Sequence, residues 1–229
     1  MSVSQAPKPV SRITSKNKNR AREIARRFAN AMPGDPVPAL HFSNPYQCVA
    51  AISLSAQTTD ANVNRVTPHL FEVYPTTAEL AQATQEEVED IVHSLGFYRN
   101  KAKNLIAMAQ TVEKDFGGEI PSTMEELITL PGVARKTANL VLSESFGIVN
   151  GIAVDTHVFR IAHRLNLSRA KTPQQTEGDL CAVFPFELWR MVNFWMINFG
   201  RTICDAKKPQ CATCYLADIC PKKDVKSVR

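Results

Sequence analysis

Four of the chain's six cysteines fall within 17 residues near its C-terminal end. Cys204, Cys211, Cys214 and Cys220 are separated from one another by six, two and five residues. Four thiolates this close in sequence can surround one tetrahedral metal ion or one iron–sulfur cube, which then fixes the path of the whole segment. Because the first residues lack the apolar core of a secretory signal, we expect a metal centre here rather than disulfides.

The spacing of these cysteines leaves two kinds of centre open. Cys211 and Cys214 form a CxxC motif, which is common in zinc sites. Zinc knuckles, however, pair two such motifs or add histidines, and neither accompanies this one. Between the first two ligands, Lys207 and Lys208 are expected to face phosphates.

Charge is distributed unevenly along the 229 residues. Residues 1–30 hold eight basic and one acidic residue, residues 31–203 hold 13 and 18, and residues 204–229 hold six and three. Basic ends suit a polyanionic partner such as nucleic acid, although a solubilising surface with a basic tail gives the same pattern. A content of 44% hydrophobic residues argues against a mostly disordered chain, and the longest apolar runs are too short to span a membrane.

The sequence predicts an all-α protein of roughly ten helices. Residues 1–18 are polar and are predicted to form a flexible basic arm, and the first helix is predicted over 19–31. Three Ser/Thr residues, each followed three positions later by Glu, predict capping boxes at Thr76, Thr84 and Ser122. Long alternating patterns typical of strands are absent.

The most informative stretch is residues 122–142, which predict two helices joined by the tight turn Leu130-Pro131-Gly132-Val133-Ala134. The backbone N–H groups at the start of the second helix, with its dipole, form a site for a phosphate oxygen. Lys136 lies in this first turn, where the dipole favours a neutral amine that can act as a nucleophile. A surface lysine that binds phosphate is the alternative.

Asp155 precedes the helical stretch that begins at Thr156 and is predicted to be its N-cap. Its carboxylate can also assist proton transfer to or from Lys136 and stabilise positive charge on a sugar. His157 is expected to have a minor supporting role beside it.

Together, the stretches LPGVARKTANLVL and IAVDTHVFRIAHRL resemble the helix–hairpin–helix DNA glycosylases, and more narrowly the endonuclease III family. The resemblance covers about residues 19–222. It implies that Lys136 attacks the sugar C1′, that Asp155 supports it, and that the 6-2-5 cysteine spacing holds a [4Fe-4S] cluster rather than zinc. The family turn usually ends Gly-Val-Gly, so the methyl of Ala134 is expected to crowd the turn or the approaching phosphate.

The same resemblance implies two helical lobes with a DNA-binding cleft between them. A six-helix barrel domain over 38–149 would carry the hairpin, and an iron–sulfur domain would combine 19–37 with 150–229. Gln57 and Phe97 match the residues that enter the duplex when a base is rotated out. Leu130, Gly132, Val133 and Ala134 would contact the DNA backbone, with His157 beside Asp155.

The function implied is that of a bifunctional DNA glycosylase and abasic-site lyase for oxidised pyrimidines in double-stranded DNA. It would act as a monomer on DNA with a damaged base or abasic site, in the cytoplasm or nucleoid and without a membrane. A non-enzymatic iron–sulfur protein that binds DNA damage, or a weak or monofunctional glycosylase, is the alternative.

Overall fold

Eleven α-helices and one short 3-10 helix make up the computed structural model, which describes residues 6–225. No residue in that range lies in a β-strand, so the predicted all-α class is confirmed. None of its helices is both long enough and apolar enough to cross a membrane. The α-helices are α1 (Ser15–Ala31), α2 (Pro45–Leu54), α3 (Asp60–Val73), α4 (Thr77–Gln82), α5 (Gln85–Val92), α6 (Tyr98–Phe116), α7 (Met124–Leu127), α8 (Arg135–Phe146), α9 (Thr156–Arg164), α10 (Pro173–Val183) and α11 (Trp189–Thr202).

The segment Val37–Ile148 is one of two units and contains α2 to α8. The long helix α6 packs against α4 and α5, while α2 packs against α8. Their apolar faces meet in one core that includes Leu54, Leu70 and Leu142. Cys48 is buried in this core, and burial raises the pKa of its thiol to about 12.

Local capping signals fix several helix starts in this unit. The capping boxes predicted at Thr76 and Thr84 are both present. The one predicted at Ser122 is wrong by one residue, because α7 begins after Thr123, which accepts a hydrogen bond from the backbone N–H of Glu126. This register buries Met124 and Leu127 in the core, which explains why it is preferred.

The second unit combines the described residues up to Pro36 with those from Val149 onwards. It contains α1, α9, α10, the 3-10 helix Phe186–Leu188 and α11. Its core is aromatic at the centre, where the ring of Phe28 lies 5.3 Å from Phe199 and 6.0 Å from Trp195 between centroids. Cys181 packs at the edge of this core, half-buried.

The flexible arm predicted over residues 1–18 is wrong for residues 6–18; residues 1–5 lie outside the described range. The Asp179 carboxylate, 0% exposed, accepts hydrogen bonds from the backbone N–H groups of Val10 (2.9 Å) and Ser11 (2.8 Å). Gly178 allows the close approach, since a Cβ there would lie 2.5 Å from the Pro7 carbonyl oxygen. A buried carboxylate needs donors, and the N-terminal segment supplies them. The first helix accordingly starts at Ser15 rather than at 19.

Candidate active site and candidate metal centre

The turn between α7 and α8 is shaped by one glycine and anchored by two apolar side chains. Leu130 and Val133 are buried, and the Val133 N–H donates to the Leu130 carbonyl at 3.0 Å. Gly132 has φ +79°, and a Cβ there would lie 3.0 Å from the Cβ of Asn104. Both the positive φ and the contact with α6 therefore require glycine.

The start of α8 carries no side-chain cap. Ala134 is the N-cap residue, with φ −84° and ψ 165°, and its side chain makes no capping hydrogen bond. Any L-residue adopts this conformation, so the expectation that the Ala134 methyl crowds the turn is wrong. The methyl is exposed to solvent, and its effect on an approaching phosphate stays a prediction.

Lys136 is the second residue of α8 and is half-buried. The first turn of the helix contains no acidic residue. Its amine therefore belongs to a positively polarised helix end that suits an anionic ligand.

Asp155 is held firmly in the other unit. It caps α9 as predicted: Oδ1 accepts from the backbone N–H groups of His157 and Val158, both at 2.8 Å. Oδ2 lies 3.2 Å from Nδ1 of His157. The His157 ring packs against Gly200 of α11, where a Cβ would come within 3.2 Å of it. His157 therefore orients one oxygen of the carboxylate.

Gln57 and Phe97 lie on two interhelical turns that border one cavity of about 250 Å³. Both have left-handed backbones, with φ of 53° and 59°, and Phe97 is 67% exposed. The hairpin's Gly132 and the side chains of Lys101 and Asn104 line the same cavity. The structure thus brings together the three sequence-predicted residues Gln57, Phe97 and Gly132.

Sequence reasoning missed Lys101. It begins the buried stripe of α6 that continues through Leu105, Met108 and Val112, and it is only 8% exposed. A lysine in the first position of an apolar stripe was the available signal.

The four predicted cysteine ligands line a single cavity in the second unit. Their sulfurs receive hydrogen bonds of the kind that thiolates accept: Leu216 N–H to Cys214 Sγ at 3.4 Å and Lys222 N–H to Cys220 Sγ at 3.3 Å. Burial raises the pKa of the Cys214 and Cys220 thiols. Within residues 6–225, no group of three or more His, Cys, Asp or Glu side chains is arranged to hold a metal ion.

Two arginines of α9, also missed from the sequence, hold the first cysteine in place. Arg164 is 5% exposed and donates through Nη1 to the Cys204 sulfur at 3.3 Å and to the Asp205 carbonyl at 2.6 Å. Arg160 donates to the carbonyls of Gly200 and Cys204. The helix that Asp155 caps is therefore tied directly to the cysteine segment.

Lys207 and Lys208 lie in an exposed turn of that segment. Their backbone N–H groups donate to Asp205 Oδ1 at 2.8 and 2.9 Å, which holds the pKa of this carboxyl below its usual value. The turn leaves both lysine side chains in solvent.

A model of the HhH-GPD superfamily of base excision DNA repair proteins matches residues 49–185. Endonuclease III of Synechocystis sp. is 45% identical over 210 residues, which are 92% of this chain and 95% of that protein. Endonuclease III of Escherichia coli K12 is 38% identical over 208 residues, 91% of this chain and 98% of that protein. The chain belongs to the endonuclease III family.

Solved structures agree with the family assignment. A trapped covalent intermediate of an endonuclease III with DNA matches with a TM-score of 0.85 and 40% identity, covering 92% of this chain and 97% of that one. A thermostable thymine-DNA glycosylase matches with a TM-score of 0.78 at 22% identity, which shows the shared fold alone. As a member of the endonuclease III family, the chain is a base excision repair enzyme, a DNA glycosylase with abasic-site lyase activity. The family predicted from the hairpin and cysteine motifs is confirmed.

Proposed function

We propose that this chain removes oxidised pyrimidines from double-stranded DNA and cleaves the strand at the resulting abasic site, with Lys136 as the nucleophile. The observation that carries this role is the place of Lys136 in the first turn of α8, directly after the Gly132 turn. Covalent trapping of a relative with DNA requires a nucleophile, and an amine at this helix start can supply one.

The chemistry follows from an amine attacking a sugar. A bond forms between Lys136 Nζ and C1′ while the bond from C1′ to the base breaks, and the base leaves with the electron pair. The nitrogen loses a proton as the sugar ring opens, which gives a Schiff base. Loss of a proton from C2′ then expels the 3′ phosphate, and water releases the lysine.

Asp155 assists proton transfer and stabilises the positive charge that develops on the sugar. Its three hydrogen bonds to His157 and Val158 support this role, because they fix the carboxylate before the substrate binds.

The DNA contacts divide into three groups. Gln57 and Phe97 enter the base stack, and their position on exposed turns around one cavity supports this. The backbone of the turn from Leu130 through Gly132 and Val133 to Ala134 binds a phosphate at the uncapped start of α8. His157, Lys207 and Lys208 add further contacts to the DNA. The enzyme acts as a monomer on nucleoid DNA within the cell.

The residues that line the cysteine cavity have the chemistry that a [4Fe-4S] cluster needs, although the four thiols are not arranged to hold a single metal ion. Four sulfurs line it, the Arg164 guanidinium donates to one of them, and backbone N–H groups donate to two others, as cluster thiolates require. When bound, the cluster supplies a cross-link that holds the C-terminal segment against α9 and α11. Lys207 and Lys208 are then presented from a fixed loop.

Borohydride trapping tests the proposal. The wild type, Lys136→Ala and Lys114→Ala are incubated with a duplex that holds one oxidised pyrimidine, and with a second duplex that holds one abasic site. Lys114 is an exposed lysine at the far end of α6 and serves as the matched control. We expect a covalent adduct from the wild type and Lys114→Ala on both duplexes, and none from Lys136→Ala.

Two results would contradict the proposal in different ways. Base release without an adduct from the cluster-loaded wild type would indicate a monofunctional glycosylase. Binding without either base release or an adduct would indicate a non-enzymatic damage-binding protein.

A further inference from the structure

Lys101 is a buried lysine to which the proposed reaction gives no role. It lies in the first turn of α6, is 8% exposed, and its Nζ donates to Thr58 Oγ1 at 2.7 Å. Burial lowers the pKa of its ammonium. Burying an ammonium is costly, so a lysine here needs a compensating interaction.

The two turns beside Lys101 are both strained. Gln57 and Phe97 have φ of 53° and 59°, a left-handed conformation that costs a non-glycine residue roughly 1–2 kcal/mol. Such conformations persist only where surrounding contacts hold them. Because both side chains are exposed, the holding contacts must come from the backbone and from neighbouring residues.

Lys101 touches both turns at once. Its backbone N–H donates to the Phe97 carbonyl at 3.1 Å, and its side chain reaches Thr58, the residue after Gln57. Two further contacts draw the turns together: Asn62 Nδ2 donates to the Ser94 carbonyl at 3.0 Å, and Gly96 lies against the Gln57 carbonyl. Lys101 is thus one of three residues whose contacts link the two turns, and the one whose side chain reaches from α6 to Thr58.

We propose that Lys101, through Thr58, is a positioning residue that fixes Gln57 relative to Phe97 so that both enter the duplex at one base step. The inference rests on the proposed function, in which these two side chains replace the extruded base. A pair held at a fixed separation loses little conformational entropy when it displaces a base. If the turn that carries Gln57 were loosened, the enzyme would open the duplex less often, while the chemistry at Lys136 would stay intact.

The test compares base extrusion with the later lyase step. Lys101→Met and Thr58→Val each remove one partner of the hydrogen bond, and Thr58→Ser keeps the hydroxyl. Lys103→Met, an exposed lysine of the same helix, is the matched control. Single-turnover excision is measured on a paired oxidised pyrimidine, and strand cleavage on a preformed abasic site. The fluorescence of 2-aminopurine opposite the lesion reports duplex opening in a Lys136→Gln background.

We expect Lys101→Met and Thr58→Val each to slow excision about tenfold and to reduce the fluorescence rise, while abasic-site cleavage stays within about threefold, because no base has to be extruded there. The double variant should be no slower than the slower single variant. Thr58→Ser and Lys103→Met should behave like the wild type in both assays.

Wild-type excision and fluorescence in Thr58→Val, shown to be folded by its thermal transition, would overturn the inference. An equal loss on both substrates would also overturn it, because it would indicate general damage to the fold. A wild type that forms no adduct and releases no base would instead contradict the proposed function itself. The two failures are therefore distinguishable.

Discussion

The starts of α8 and α9 carry the two proposed catalytic residues, and they are built in opposite ways. At α8 the N-cap is Ala134 and no side chain caps the helix. At α9 the N-cap is Asp155, whose carboxylate accepts hydrogen bonds from the backbone N–H groups of His157 and Val158. In the proposed function, the start of α8 binds a ligand. At the start of α9, Asp155 accepts hydrogen bonds from the backbone N–H groups, and the same carboxylate is the functional group.

The two helix starts therefore use the helix dipole in different ways. An uncapped start costs roughly 1 kcal/mol of stability relative to a good cap but offers a site to a phosphate. A capped start gains that stability and fixes a carboxylate in one orientation. Exchanging these properties between the two helices is the most direct way to test the comparison.

Asp155 should show the largest effect. Asp155→Asn keeps an oxygen for the cap but removes the charge, so we expect excision to fall by about 10²–10⁴-fold with little loss of stability. Asp155→Ala should lose activity similarly and also about 1 kcal/mol in the free energy of unfolding. Single-turnover excision and denaturant titration measure the two quantities.

Thr172→Ala is the matched control, since Thr172 caps α10 in the same unit by accepting from the Gln175 N–H. It should lower stability by about the same amount and leave excision unchanged. Equal excision rates for Asp155→Asn and the wild type would contradict the role of the carboxylate.

The cysteine segment is a second feature that only one of the two units has. Each unit has an apolar core of its own, but the unit that contains α9 and α11 also has a cysteine segment around a cavity lined by four sulfurs. Cys220→Ser should lose iron and visible absorbance and lower the stability of the C-terminal unit by roughly 3 kcal/mol or more. Hydrogen exchange should rise in α9 and α11 and stay unchanged in α2 and α6.

Cys181→Ser is the control for this variant, because Cys181 is a half-buried cysteine of the same unit outside the cavity. It should keep its iron. Full iron content and unchanged exchange in Cys220→Ser would count against a cluster in this cavity.

Local interactions made parts of this fold predictable from the sequence. The boxes at Thr76 and Thr84 depend on residues three positions apart, and so does the Asp155 cap. The box at Ser122 failed because two overlapping Ser/Thr–Glu pairs compete there, and core packing of Met124 and Leu127 decided between them. Capping signals fix the type of an element better than its register.

Contacts between distant segments were not predictable. The docking of Ser11 depends on Asp179, which is 168 residues away in the chain. The position of Lys101 against Thr58 likewise depends on how α6 packs beside the turn between α2 and α3. The contact of Ser11 with Asp179 leaves no local pattern in the sequence. The contact of Lys101 with Thr58 leaves only an unexpected charge in an apolar stripe.

Changing Ala134 makes one helix start resemble the other. Ala134→Asp should supply a cap and stabilise the protein by about 1 kcal/mol, while it weakens duplex binding about tenfold because a carboxylate meets the phosphate. Ala134→Gly should tighten binding by a smaller factor if the exposed methyl obstructs the phosphate. Equilibrium binding at fixed salt measures both, and Ala134→Ser separates the cap from the charge. Unchanged affinity in Ala134→Asp would show that no phosphate binds at this helix start.

The smallest effect is expected from the exposed lysines of the cysteine segment. Because the Asp205 carboxylate holds the turn through backbone groups, replacing Lys207 and Lys208 by alanine should leave the loop intact. Removing one lysine that binds a phosphate should reduce the slope of log Kobs against log salt by about 0.9, so the double variant should show a slope smaller by about 1.8. Lys114→Ala, at the far end of α6, should keep the wild-type slope. A double variant with an unchanged slope would restrict phosphate binding to the hairpin and leave the cysteine segment a purely structural role.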